Sequence, residues 1–300
     1  MIQHLTEIVD EARKRGKKRL AVAYGQDSHT LEAVYEAYKE GIVEPTLFGE
    51  KKVIEQVCAE NDIDIKAFNI VDEASDVKCV QQAVAAVVAG NADVLMKGLV
   101  STDKYMRGIL NKEAGLFPPK GVLSHVSIVE MPCYHKLLVI SDVAVIPLPD
   151  FKQKIKQIGY LAKVANLLGI ETPKAACLAA VETVNPKMQA TVDAACLCKM
   201  ADRGAFPGAV VEGPLAMDNI LSAEAARKKG IDSPVPGHAD IILAPSIEVA
   251  NTFSKTLNYL MHSSNAGIVM GAAAPIILPS RASDPASKYA SLAMGVLLAK

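Results

Sequence analysis

The 300-residue chain has no tryptophan, and aromatic residues make up only 5% of it. Its core must therefore be filled by aliphatic side chains and alanine, and half of the sequence is apolar. That composition suits layered helices and sheets better than an all-β sandwich. Neither charge is in excess: 32 basic residues against 33 acidic ones give a net charge of −1. The basic footprint of a nucleic-acid binder is absent. No apolar run reaches membrane-spanning length without charge or proline. The opening MIQHLTEIVDEARKRG mixes acids with bases at amphipathic spacing, unlike a signal or transit peptide. A cytoplasmic protein without a membrane or nucleic-acid partner is expected.

The six cysteines form no C-x-x-C pair and no ligand spacing with histidine, so no metal site is expected. Cys58, Cys79, Cys177, Cys196 and Cys198 lie in apolar contexts and read as reduced core residues. GxxxxGK[ST] is missing, no GxGxxG follows a strand, and there is no GxSxG. A Walker loop, a dinucleotide fingerprint and a nucleophile elbow are thereby excluded.

What is present is strand–helix alternation. An amphipathic helix over 4–15 precedes strands at 19–24, 46–49, 67–71 and 93–96, with helices near 29–40, 50–60 and 77–89. Short connections of this kind are the signature of a parallel sheet. The rhythm loosens between about 98 and 136, where Ser124–Glu130 reads as a strand. Leu137–Ile140 and Val143–Ile146 form a second β block broken by Asp142. Alternation then resumes, with helices at 150–168, 187–203, 222–229 and 248–261 and strands at 175–181, 208–212 and 240–244. Strands at Ala266–Met270 and Pro275–Leu278 and a last helix close the chain. The length predicts two domains: residues 1–135 with 270–300, and 136–269. The absence of a flexible linker between them predicts packing around a cleft.

In open α/β sheets ligands bind beyond the carboxyl ends of the strands, so polar residues directly after strands are the candidates. Gly25-Gln26-Asp27-Ser28 follows the first strand. Lys97 and Ser101 follow the strand at 93–96, with Arg107 further into the next helix. Asp142, Glu182, Asp218 and Ser246 follow later strands. Asp142 and Glu182 also fit structural pairing, and Ser28, Thr102 and Ser246 also fit helix N-caps. In APIILPSRASDPAS (274–287), Ser280 and Arg281 end a strand just before a helix. A hydroxyl, a guanidinium and free backbone N–H groups together suit an anion such as phosphate. The same stretch also reads as a helix capped by Ser283 or Asp284, with a solvated arginine.

The blocks ADVLMKGLVSTDKYMRGILNKEAGLF, GVLSHVSIVEMP, ISDVAV, AAVETVNPKM, VEGPLAMDN, HADIILAPSIEVANTFSKTL and APIILPSRASD run in order through nearly the whole chain. Together they resemble the phosphate acetyl/butyryltransferases, and the phosphate butyryltransferase branch more than the acetyl branch. The resemblance implies a two-domain α/β fold with mostly parallel sheets around a central cleft, like that of isocitrate and isopropylmalate dehydrogenases. It implies an acyltransferase that interconverts acyl-CoA and orthophosphate with acyl phosphate and CoA. CoA and phosphate would be substrates, with no permanently bound cofactor. A homo-oligomer is implied, with an acyl kinase as pathway neighbour.

The family's Ser-Arg pair matches Ser280 and Arg281, and its strand-end arginine matches Arg107. Lys97, Ser101, His125 and Asp218 are the further candidates for substrate binding, His125 fitting a structural histidine as well. Where the acetyl branch has an aspartate six residues past the arginine, this chain has Ser287. The butyryl branch has one two residues past it, here Ser283, and Asp284 comes next. Asp284 is therefore the candidate partner for the CoA thiol. Glu212 stands where the family block reads Asp-Gly-Pro. Two rival readings are a non-catalytic acyl-CoA-sensing module and a metal- and NAD-dependent hydroxyacid dehydrogenase. The latter would need a D-x-x-x-D helix, which the sequence lacks.

Overall fold

The structure, a computed structural model, describes residues 1–279 and 283–300. In chain order its elements are α1 (Leu5–Arg15), β1 (Lys18–Ala23), α2 (Ser28–Lys39), β2 (Val43–Gly49), α3 (Lys51–Glu60), β3 (Asn69–Asp72), α4 (Asp76–Val88), β4 (Val94–Lys97) and α5 (Thr102–Leu110). There follow β5 (Ser124–Glu130), β6 (Leu138–Ser141), α6 (Phe151–Leu167), β7 (Lys174–Leu178), α7 (Gln189–Asp202), β8 (Val210–Leu215), α8 (Met217–Leu221), α9 (Ala223–Lys228), β9 (Ile241–Leu243), α10 (Ile247–Leu260), β10 (Ser264–Met270), β11 (Ile276–Ile277) and α11 (Pro285–Leu298).

Internal contacts divide the chain into a terminal unit, Leu5–Leu123 with Ala266–Lys300, and a middle unit, Ser124–Asn265 with Met1–His4. From sequence the change of domain is expected near residue 135. The units part after Leu123, because β5 pairs with β6 along Val126↔Ser141 to Val129↔Leu138 and so belongs to the middle sheet.

The terminal sheet has the order β3-β2-β1-β4-β11-β10. All neighbours are parallel except β10, which runs antiparallel to β11. Successive strand residues point to opposite faces, so an unbroken run of buried residues means that both faces are covered. β4 is buried at all four positions and β1 at its last four. β3, largely exposed, is a short edge strand. β4 lies between β1, in register Leu20↔Val94 and Val22↔Met96, and β11, in register Ile276↔Leu95 and Ile277↔Met96. The alanine- and leucine-rich α11 is buried along most of its length and packs on α1, α2, β11 and β4.

The middle sheet has the order β5-β6-β9-β7-β8, with β5 antiparallel to β6 and the rest parallel. Its core joins Val129, Leu138, Ile140, Leu178, Leu215 and Ile242. Residues 143–146, expected as a strand, are not one. The Asp142 carboxylate accepts the N–H groups of Ala144, Val145 and Ile146 at 3.1, 2.7 and 3.2 Å. A side chain that takes these donors competes with the ladder and turns the chain instead. Cys58, Cys79 and Cys177 are buried as expected, but Cys196 is exposed. The helical period turns Thr191, Ala194 and Leu197 of α7 inward and leaves Cys196 outside. Among the described residues no helix is long and apolar enough to cross a membrane, and no group of three or more His, Cys, Asp or Glu side chains is arranged to hold a metal ion.

One charged pair is built into the middle unit. Lys154 of α6 donates to Asp193 of α7 at 2.6 Å, and Gln189 donates to the other carboxylate oxygen at 2.8 Å. Both charges are almost fully buried, so removing one strands the other. Lys154→Met alone should lower the unfolding free energy by about 3–5 kcal/mol, and Lys154→Met with Asp193→Leu should recover much of it. Urea unfolding of the two variants measures the difference; equal stability losses would show that the stranded Asp193 charge is not what destabilises the single variant.

Candidate active site

The side-by-side parallel strands β1, β4 and β11 all end at one edge of the terminal sheet, and α2, α5 and α11 start there. Three helix N-termini with their unpaired N–H groups are thus gathered at one edge. Each is capped by a side chain. Asp27 accepts from the N–H of Thr30 at 3.0 Å, Ser101 from that of Lys104 at 3.4 Å, and Asp284 from that of Ser287 at 2.7 Å. Asp27, rather than the expected Ser28, caps α2; Ser246 occupies the N-cap position of α10 without a side-chain capping bond.

The β4 end is pressed onto the β1 end. Gly98 N–H donates to Ala23 O and Leu99 N–H to Tyr24 O, both at 2.9 Å. A Cβ at position 98 would lie 2.3 Å from the Tyr24 carbonyl oxygen, so only glycine fits. Lys97 is buried within this turn, its Nζ donating to the carbonyls of Gly98 and Val100 at 3.0 and 3.1 Å. The ammonium braces the loop that carries Ser101. Arg107 lies further along α5, highly exposed, and contacts Asp103 one turn back at 3.1 Å. An exposed i,i+4 pair holds a guanidinium only weakly, so Arg107 can exchange that carboxylate for another anion. Buried Tyr105 donates to the Ile277 carbonyl at 3.4 Å and ties α5 to β11.

Ser280 and Arg281 lie outside the described residues. Beyond them, Asp284 accepts from both the N–H and the hydroxyl of Ser287, the latter at 3.1 Å. The two positions that compete in sequence for a carboxylate role are thus hydrogen-bonded to each other. One member of this edge went unnoticed in the sequence. Lys288, with a side chain only 3% exposed, donates to Asp27 at 3.2 Å and to the Thr30 hydroxyl at 3.3 Å. Its signal was available: it is the single charged residue in PASKYASLAMGVLL.

His125 and Asp218 belong to the middle unit. Asp218 lies just past the carboxyl end of β8 and shares Lys229 with Glu182, at 3.0 and 3.2 Å. The Lys229 hydrogen bond holds Asp218 below the usual carboxylate range. Glu182 is lowered first by its own backbone N–H and then by Lys229. Asp142, besides its three backbone donors, accepts from Ser124 at 2.9 Å, which is the structural role also open to it from sequence. His125 lies inside β5, 5% exposed, its buried Nδ1 without a hydrogen-bond partner among the described residues.

Burial pushes the His125 pKa below its ordinary 6.5, with the Asp142 charge opposing. The folded protein therefore holds His125 neutral where the unfolded chain is beginning to take up a proton. Its contribution to stability is complete above 6.5 and is lost as pH falls from there toward the folded value. Urea midpoints measured from about pH 7 to about pH 5 should fall less steeply for His125→Gln than for the wild type. Parallel slopes would remove His125 from the acid limb.

Against this geometry stand the comparisons with known proteins. The sequence profile described as phosphate acetyl/butaryl transferase matches residues 4–83 and 76–296. The phosphate butyryltransferase of Clostridium acetobutylicum is 44% identical over 299 residues, covering 100% of this chain and 99% of the relative. The phosphate acetyltransferase of Thermotoga maritima is 41% identical over 295 residues, covering 98% and 99%. The crystal structure of a branched-chain phosphotransacylase from Enterococcus faecalis V583 superposes with a TM-score of 0.80 at 30% identity, covering 94% of this chain and 100% of that one. Profile, sequence relatives and structure agree over almost the full length: the chain belongs to the phosphate acetyl/butyryl transferase family.

Proposed function

We propose that the protein interconverts a short-chain acyl-CoA and orthophosphate with the acyl phosphate and free CoA by direct transfer in a ternary complex. The observation that carries this reading is the end-to-end match to a phosphate butyryltransferase, in a chain that keeps the Ser280-Arg281 pair and Arg107. The gathering of three helix N-termini where Lys97, Ser101 and Asp284 lie is what an anionic substrate needs, and it supports the reading.

A phosphate oxygen attacks the thioester carbon, the C–S bond breaks, and CoA leaves as a thiolate that takes up a proton. The chemistry must bring together two anions that repel. Arg281 grips phosphate through its planar fork, and Arg107 offsets further charge. Attack places negative charge on the carbonyl oxygen, which Ser280 and nearby N–H groups stabilise. In the reverse direction the CoA thiol must lose its proton. Only a few per cent of an unperturbed thiol is ionised at neutral pH, so a carboxylate that accepts the proton speeds the step, and Asp284 is the one placed beside the motif. In the terminal unit Ser101 is the further substrate-binding residue, on the loop that Lys97 braces; the candidates of the middle unit are His125 and Asp218. The same reading gives a cytoplasmic homo-oligomer without a resident cofactor, whose acyl phosphate passes to an acyl kinase.

Release of CoA from acetyl-, propionyl-, butyryl- and branched acyl-CoA, with and without phosphate, tests the reading directly. Phosphate-dependent release is expected, and its absence with every acyl-CoA would reject the activity. In the same assay Arg281→Lys keeps the charge but loses the fork, and turnover should fall by about 10²–10³-fold.

Asp284→Asn separates two roles, because asparagine caps a helix as well as aspartate does. The melting temperature should hold while the thiol-consuming rate falls. An unchanged rate would leave Asp284 as a cap alone.

A further inference from the structure

Lys288 sits at the fourth position of α11 (Pro285–Leu298), among Ser287, Ala290, Ser291 and Leu292, all buried. Two effects oppose a cation there. The positive end of its own helix repels it, and burial removes its hydration. Its partner is not fully satisfied either. Asp27 Oδ1 serves both Thr30 N–H and Lys288 Nζ, while the buried Asp27 Oδ2 has no hydrogen-bond partner among the described residues. By the general behaviour of buried ion pairs, an aliphatic side chain of equal length would stabilise the fold at least as well. Stability alone therefore does not account for the ammonium.

What the ammonium supplies is direction. Its two bonds reach Asp27, the N-cap of α2, and Thr30, the third residue of that helix. Greasy packing of α11 on α2 would permit small rotations and slides, whereas two polar contacts to fixed acceptors permit one placement. The turn so placed is the one that follows Ser280 and Arg281 in sequence, at the edge where α2 and α11 both begin.

We propose that Lys288 is a positioning residue for the phosphate-binding segment. Through its pair with Asp27 it fixes the first turn of α11 on α2, and so anchors one end of the segment that carries Ser280 and Arg281. It touches no substrate and acts through α11. The inference rests on the phosphate acyltransferase reading of that segment.

The test uses the whole protein and three variants: Lys288→Met, Lys288→Arg, and Lys288→Met combined with Asp27→Asn, which keeps the α2 cap and removes both charges. The double variant should melt at or above the wild-type temperature. Its kcat/KM for phosphate should fall about 10–100-fold, the size expected for a displaced reactive group. KM for acyl-CoA should move by less than about threefold, since the anchored segment holds the phosphate. Lys288→Arg should regain part of the loss. A folded double variant with wild-type kcat/KM for phosphate overturns the inference, and so does a rise in KM for acyl-CoA as large as that for phosphate. Failure of both methionine variants to fold overturns it too, by making the pair a folding determinant. A wild type that releases no CoA with phosphate overturns the acyltransferase reading and this inference with it; an active wild type matched by the double variant overturns the inference alone.

Discussion

The terminal unit depends on one close approach. Gly98 lies so near the Tyr24 carbonyl that no side chain can stand between them, and that contact brings the carboxyl end of β4 onto that of β1. The Gln26–Asp27 turn and the Lys97–Ser101 turn become neighbours as a result. Because β11 runs parallel to β4 on its other side, the start of α11 is delivered to the same edge. A single pairing of strand ends thus decides where three helices begin.

Magnitudes indicate what that edge can and cannot do. One helix N-terminus is worth about 0.3–1 kcal/mol to an exposed anion, so three together attract phosphate but do not select or orient it. The capping carboxylates of Asp27 and Asp284 offset part of that attraction, and Lys97 already donates to two backbone carbonyls. In the proposed reaction orientation comes from the guanidinium groups, whose forked bonds are stronger and directional. The scaffold supplies a favourable field, and the arginines are proposed to supply geometry.

Much of this was legible in the sequence wherever the signal is local. Strands at 19–24 and 93–96 are legible because the apolar runs Leu20–Ala23 and Val94–Met96 are unbroken, and the structure buries both of their faces. The strand-end rule then led to Lys97, Ser101 and the 274–287 segment without further help. Misreadings arose where one polar side chain overrode the pattern. Asp142 gathers the amides of residues 144–146 and abolishes a strand that the valines and isoleucine suggested, and the outward face of α7 carries Cys196 into solvent. What local pattern could not show is contact between distant positions. Lys288 and Asp27 are 261 residues apart, and a lysine in an apolar helix announces burial without naming its partner. The bond between Asp284 and Ser287 was hidden differently: both residues were noticed, but as rivals for one role.

The terminal unit is also discontinuous. Its sheet has β11 set between β4 and β10, and the stretch Ala266–Lys300 provides that strand and the helix that covers it. A chain made from its amino terminus meets this as a problem of timing. While the ribosome is still at work, β4 has no neighbour on one side and its apolar residues have no α11 to cover them. The middle unit, whose residues end at Asn265, has its full sequence earlier. Completion of the terminal unit falls to residues made after the middle unit, so a nascent chain released short of them carries an open, aliphatic sheet edge of the kind that chaperones hold and aggregates recruit.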